Sequence, residues 1–112
     1  MRVKVAPESR LASGAGRPSV KVSSEVETFV KSLAPEPRRA LTQAIKGLAG
    51  DLGDWRQLEG DLAGYHRLRV LRYRVLCNET FAAGQRVIEC VHAAPRSIVY
   101  ELFAERLKNR LG

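Results

Sequence analysis

Tyr65-His66-Arg67-Leu68-Arg69-Val70 alternates polar and apolar side chains. A strand's period of two sends Arg67 and Arg69 to one face and Leu68 and Val70 to the other, so the basic pair is expected to point away from the core. After Leu71-Arg72, the run Tyr73-Arg74-Val75-Leu76-Cys77-Asn78 has the β-branched and aromatic content of a second strand. Its Arg74 points opposite to Tyr73, Val75 and Cys77 and so joins Arg67 and Arg69. Phe81-Ala82-Ala83-Gly84-Gln85 reads as a turn in which Gly84 is free to take positive φ, and Arg86-Val87-Ile88-Glu89-Cys90-Val91-His92 returns as a third strand. The three strands form an antiparallel meander.

Upstream, residues 6–19 are rich in Pro, Gly, Ser and Ala, and 1–19 is expected to be a flexible N-terminal extension. Val20-Lys21-Val22 suits a short strand that adds to the sheet. Ser24-Glu25-Val26-Glu27 matches a capping box, and Val26, Phe29, Val30 and Leu33 then recur on one helical stripe up to Pro35. Glu36-Pro37 opens a second helix whose apolar face is Ala40, Leu41, Ala44, Ile45 and Leu48, with Gly50 as its stop. The two helices are read as a hairpin. Residues 51–64 carry the Gly and Asp content of a loop, anchored to the core by Trp55 and Leu58. Downstream, Ala93-Ala94-Pro95-Arg96 is a connection, and Ser97 is placed to cap a last helix to about Leu111 on which Tyr100, Phe103 and Leu107 share a face. The fold class is α+β: a small antiparallel sheet packed by an N-terminal helical hairpin, with a C-terminal helix.

At 112 residues the chain suits one domain. Its 19 Lys+Arg against 12 Asp+Glu, net +7, favour a polyanionic partner without choosing among RNA, DNA and an acidic protein segment. Cys77 and Cys90 lie in no metal-ligand spacing, so no metal is implied; they are expected to pack as small hydrophobes opposite each other if the turn centres on Ala83. No apolar run approaches the roughly 18 residues of a membrane span, and Met1-Arg2-Val3-Lys4 leads into no signal-peptide core, so a cytoplasmic location is expected. Gly14-Ala15-Gly16 lacks the preceding strand of a phosphate loop, and no cofactor is indicated.

The order of strand, two helices and meander, with His66-Arg67-Leu68-Arg69-Val70, Tyr73-Arg74-Val75-Leu76 and Pro95-Arg96-Ser97-Ile98-Val99-Tyr100, resembles the RelE/ParE superfamily of toxin–antitoxin toxins over about Val20 to Leu107, which implies a toxin domain of residues 20–112. The family's LxG loop has its counterpart in Leu58-Glu59-Gly60. Two positions depart from the pattern: Leu71-Arg72 stands where the family has Gly-Asp, and Pro95 where it has His before the late arginine. The Leu-Arg pair does not favour a tight turn.

The resemblance implies a ribosome-dependent endoribonuclease that cleaves mRNA and inhibits translation, held in a toxin–antitoxin hetero-oligomer by a cognate antitoxin, with the ribosome and mRNA as further partners and no membrane. It implies catalytic roles for Arg74, Arg96 and Tyr100 and RNA contacts for Arg67 and Arg69; Arg72, at a position where the sequence departs from the family, is added to the RNA-binding residues as a neighbouring cation. His92 is the nearest imidazole to that set and is added to the RNA-binding residues as a proton donor or a structural strand-end His. The chemistry matches: cleavage by the 2′-hydroxyl needs a proton acceptor, cations on the phosphorane and an acid for the leaving oxygen. Arginines hold phosphate oxygens bidentately, and Tyr100 offers a proton-transferring oxygen. The alternatives are a ParE-like gyrase inhibitor without nuclease activity and a degenerate toxin-fold binding protein.

Overall fold

The computed structural model describes residues 17–111. The proposed 1–19 extension lies outside the described residues except for its last three. The elements run β1 (Ser19–Val22), α1 (Ser24–Lys31), α2 (Pro35–Gly47), β2 (Asp54–Gln57), β3 (Tyr65–Val70), β4 (Tyr73–Ala82), β5 (Gln85–Pro95) and α3 (Val99–Leu111). Short 3-10 turns lie at Leu48–Gly50 and Gly60–Leu62.

The α+β architecture and the meander are as expected. The five-stranded sheet has the order β1-β5-β4-β3-β2, and it is mixed rather than wholly antiparallel because β1 joins β5 in parallel. The α1–α2 hairpin carries the chain over one face from the β1 edge to the β2 edge. Three antiparallel steps then bring it back to β5, pointing the same way as β1.

Several local expectations are corrected. The N-cap of α1 is Ser23, whose Oγ accepts from the Val26 N–H at 3.2 Å; Ser24 is already helical. Helix α2 begins at Pro35, a residue earlier than expected, where the missing N–H would have had no helical partner. Helix α3 begins at Val99, two residues after Ser97, and the Ile98 carbonyl accepts the first helical bond, from the Leu102 N–H. The expected 51–64 loop contains the edge strand β2, because Trp55 pairs with Leu68 and buries its ring in the core.

The hairpins are tighter than the sequence suggests. Strands β4 and β5 continue to Ala82 and from Gln85, joined by Ala83 and Gly84 alone, both at positive φ as a primed turn needs. Leu71-Arg72 also closes a two-residue connection, with Leu71 at φ 56; the Val70–Tyr73 pairing holds it despite the unfavourable side chain. Residues 93–95, expected as a connection, extend β5, and Pro95 fits there because β1 pairs only as far as Cys90 and leaves that edge open.

Each face of the sheet carries a core. Under the helical hairpin lie Val26, Val30, Leu41, Ile45, Trp55, Leu68, Val75, Ile88 and the two cysteines. Cys77 and Cys90 are free thiols in direct cross-strand register, their sulfurs 3.5 Å apart. Their mutual hydrogen bond and then burial hold the Cys77 thiol well above its ordinary value, so it packs as an apolar group. Arg67 and Arg69 were expected to point away from the core, yet the face they share with Arg74 carries a second one, formed by Leu58, Leu62, Leu76, Ala94, Val99 and Phe103 with Tyr100 and Leu107 packed against it. No helix among the described residues is long and apolar enough to cross a membrane.

Candidate nucleic-acid interface

The register across β2, β3, β4 and β5 aligns Asp54, Arg69, Arg74 and Ala94 in one row. The next row is Arg56, Arg67, Leu76 and His92. Directly paired residues share a face, so four arginines of three adjacent strands lie on the side of the sheet that α3 half covers.

Arg74 is the deepest, at 9% exposure. Its Nη1 donates to the carbonyls of Leu71 at 3.2 Å and Tyr73 at 2.8 Å, which folds the guanidinium back over the β3–β4 turn. Burial lowers its pKa, Tyr100 opposes that shift through a side-chain hydrogen bond and charge interaction, and the nearby Arg67 and Arg69 reinforce it. Arginine starts so high that Arg74 stays cationic at neutral pH. Tyr100 reaches it from the first turn of α3, anchored by Val99 and Phe103 in the second core. Arg72 and Arg96 are exposed at the same end of the sheet, where the Arg96 N–H donates to the Arg72 carbonyl at 2.8 Å. The Arg72 guanidinium lies 5.8 Å from the Tyr73 ring centroid.

Arg67 is mostly buried and committed to Asp54: its Nη1 donates to the Asp54 carbonyl at 3.1 Å and to Oδ1 at 3.0 Å. Arg56 Nε lies 3.6 Å from Oδ1 and Arg69 Nη1 lies 3.9 Å from Oδ2. Burial would raise the Asp54 carboxyl, but the bond from Arg67 and the fields of Arg67, Arg56 and Arg69 hold it below its ordinary value.

His92 is not brought to this set. It is 7% exposed, stacks on Phe103, and shares Nδ1 with Glu25 at 2.9 Å and Arg106 at 3.4 Å. A β-bulge opposite Leu76 and Cys77 turns both Val91 and His92 toward α3. Thus Arg69, Arg74 and Tyr100 lie together at one end, Arg96 is joined to Arg72 there through the backbone, the Arg72 guanidinium turns to the Tyr73 ring of the hairpin-side core, Arg67 stands one row away, and His92 ties α1 to α3. Asp54 and Arg56 were missed because they fell in the expected loop. The signal was there in Asp54-Trp55-Arg56, where charged residues flank a buried ring with strand period, but the surrounding Gly and Asp content masked it.

A structural comparison shows which known fold the chain shares. The RelBE2 toxin–antitoxin complex from Mycobacterium tuberculosis matches with TM-score 0.60 at 20% identity, covering 71% of this chain and 99% of that one. The chain has the RelE/ParE toxin fold. A YoeB/ParE toxin from Agrobacterium tumefaciens matches at TM-score 0.55 and 15% identity, covering 69% of this chain and 97% of that one. The toxin fold recurs in the RelB–RelE antitoxin–toxin complex from Methanococcus jannaschii, at TM-score 0.53 and 15% identity over 74% of this chain and 98% of that one. No family model matches the sequence, and no curated protein sequence does. At these identities the likeness concerns the fold, and the chemistry rests on the residues above.

Proposed function

We propose that this protein is the toxin of a toxin–antitoxin pair and cleaves mRNA on the ribosome. The observation that carries the reading is the buried Arg74 against Tyr100, with Arg69 directly across the strand. In this reading Arg69 and Arg74 hold the phosphate oxygens and stabilise the charge that gathers on them as the 2′-oxygen, losing its proton, bonds to phosphorus. The bond to the 5′-oxygen breaks, which leaves a 2′,3′-cyclic phosphate and a 5′-oxygen that takes up a proton. Tyr100 supplies the oxygen through which a proton moves, and Arg72 and Arg96 hold the flanking backbone. Two of the neighbours are described as toxin–antitoxin complexes, which supports an antitoxin as partner. Ribosomes place the activity in the cytoplasm.

The test is to translate a reporter mRNA with purified protein and map its ends, alongside the same RNA without ribosomes. Cuts that appear only during translation support the proposal. The A. tumefaciens neighbour is named a YoeB/ParE toxin, so gyrase supercoiling is assayed in parallel. Intact mRNA with inhibited supercoiling would replace the nuclease reading with the gyrase-inhibitor one.

A further inference from the structure

We propose that Asp54 is an internal counter-anion that holds Arg67, Arg69 and Arg56 in the place a substrate phosphate would occupy, and so sets how tightly the basic face binds RNA. The proposal rests on the RNA reading and adds a residue that the reading does not contain.

Three observations meet at Asp54. It is the one carboxylate of the row that runs Asp54, Arg69, Arg74, and it lies within 4 Å of three guanidinium groups. Arg69 and Arg74 are direct cross-strand partners, a like-charge pairing that is unfavourable unless a counter-charge stands beside it. Asp54 stands directly across from Arg69 on the other side and supplies that charge. Its side chain is 39% exposed, and Arg69 (54%) and Arg56 (41%) are open to solvent, so an incoming anion has access to the same cations. Carboxylate and phosphate oxygens accept from the same guanidinium fork, and a phosphate approaching Arg69 therefore competes with Asp54. Arg67 differs: the two hydrogen bonds its Nη1 donates, to the Asp54 carbonyl and carboxylate, fix its direction. Asp54 is thus a positioning residue for Arg67 and a competitor for Arg69 and Arg56.

The test is Asp54→Asn, which keeps an oxygen acceptor for Arg67 but removes the charge. Binding of a short single-stranded RNA that the protein does not cut is measured across salt concentrations, with Arg67→Ala and Arg69→Ala as references and thermal melts to verify folding. Asp54→Asn is expected to bind about three- to tenfold more tightly at low salt, and its log–log salt slope is expected to steepen by about 0.7, the increment for one more neutralised phosphate on a single strand. A residue that merely holds β2 on the sheet would not increase affinity when neutralised. Unchanged or weaker binding by folded Asp54→Asn, while Arg69→Ala still reduces binding, overturns the proposal and leaves the RNA reading in place. If wild-type protein binds no RNA in translating or ribosome-free mixtures, the RNA reading falls and the proposal with it.

Discussion

At the scale of single residues, the two that carry the proposed chemistry are held by different means. Arg74 is fixed by strand β4 and two turn carbonyls, Tyr100 by the packing of α3. Tyr100→Phe keeps the ring and removes the oxygen, so the fold is expected to persist while mRNA cleavage falls about a hundredfold or more. Arg74→Ala is expected to reduce the rate by an amount on the order of 3 kcal/mol in transition-state stabilisation. Primer-extension mapping during translation checks both, and a Tyr100→Phe protein of full activity would remove Tyr100 from the mechanism. Gly53 matters for position rather than chemistry. It sits at φ 101 immediately before Asp54, and an added Cβ would lie 2.9 Å from Leu68 Cδ1. Gly53→Ala is expected to lower stability by about 1–3 kcal/mol in urea unfolding, since the left-handed backbone and the contact both oppose a side chain.

At the scale of elements, α3 is the piece whose attachment decides whether Tyr100 meets Arg74. Phe103 is its anchor, edge-on to Tyr65 at 4.9 Å between centroids and stacked on His92 at 5.4 Å. Phe103→Ala is expected to cost about 3–5 kcal/mol by denaturant titration. A second tie runs from α1: Glu25 bonds to Arg106 of α3 and to His92 of β5. Burial raises the Glu25 carboxyl, but its bonds and charge interactions with Arg106 and His92 prevail and hold it below its ordinary 4.5. A carboxylate depressed in the folded state stabilises fully above that ordinary value and loses its contribution as pH falls below it. Wild type is therefore expected to lose more stability than Glu25→Gln between about pH 5 and 3. Parallel losses in the two proteins would show that the contact contributes nothing. The side chain is 40% exposed, and solvent keeps the effect small.

For the whole molecule, the cores on the two sheet faces draw on residues from Val20 to Leu107, and a chain beginning at Arg17 is expected to melt with the full-length protein. A loss of several degrees would assign the first 16 residues a part in the fold. Much of this was legible beforehand. Alternation alone placed Arg67, Arg69 and Arg74 on one face, and 3.6-residue periodicity placed Val26 and Val30, Leu41 and Ile45, and Tyr100 with Phe103, because these periods are local geometry that every residue of an element obeys. Non-local pairing was not legible. Whether β1 runs parallel to β5, whether residues 54–57 are strand or loop, and whether Leu71 accepts positive φ are decided by partners far along the chain. The single residue that slips β5 past β4 and turns His92 toward Glu25 and Arg106 is likewise invisible in its own neighbourhood. The sequence by itself determined the helical hairpin, the meander and the cationic face. Only the tertiary structure decided that a second core lies under α3, that Arg74 is buried against Tyr100, and that Asp54 neutralises the arginines beside it, since each depends on side chains brought within a few ångströms by the whole fold.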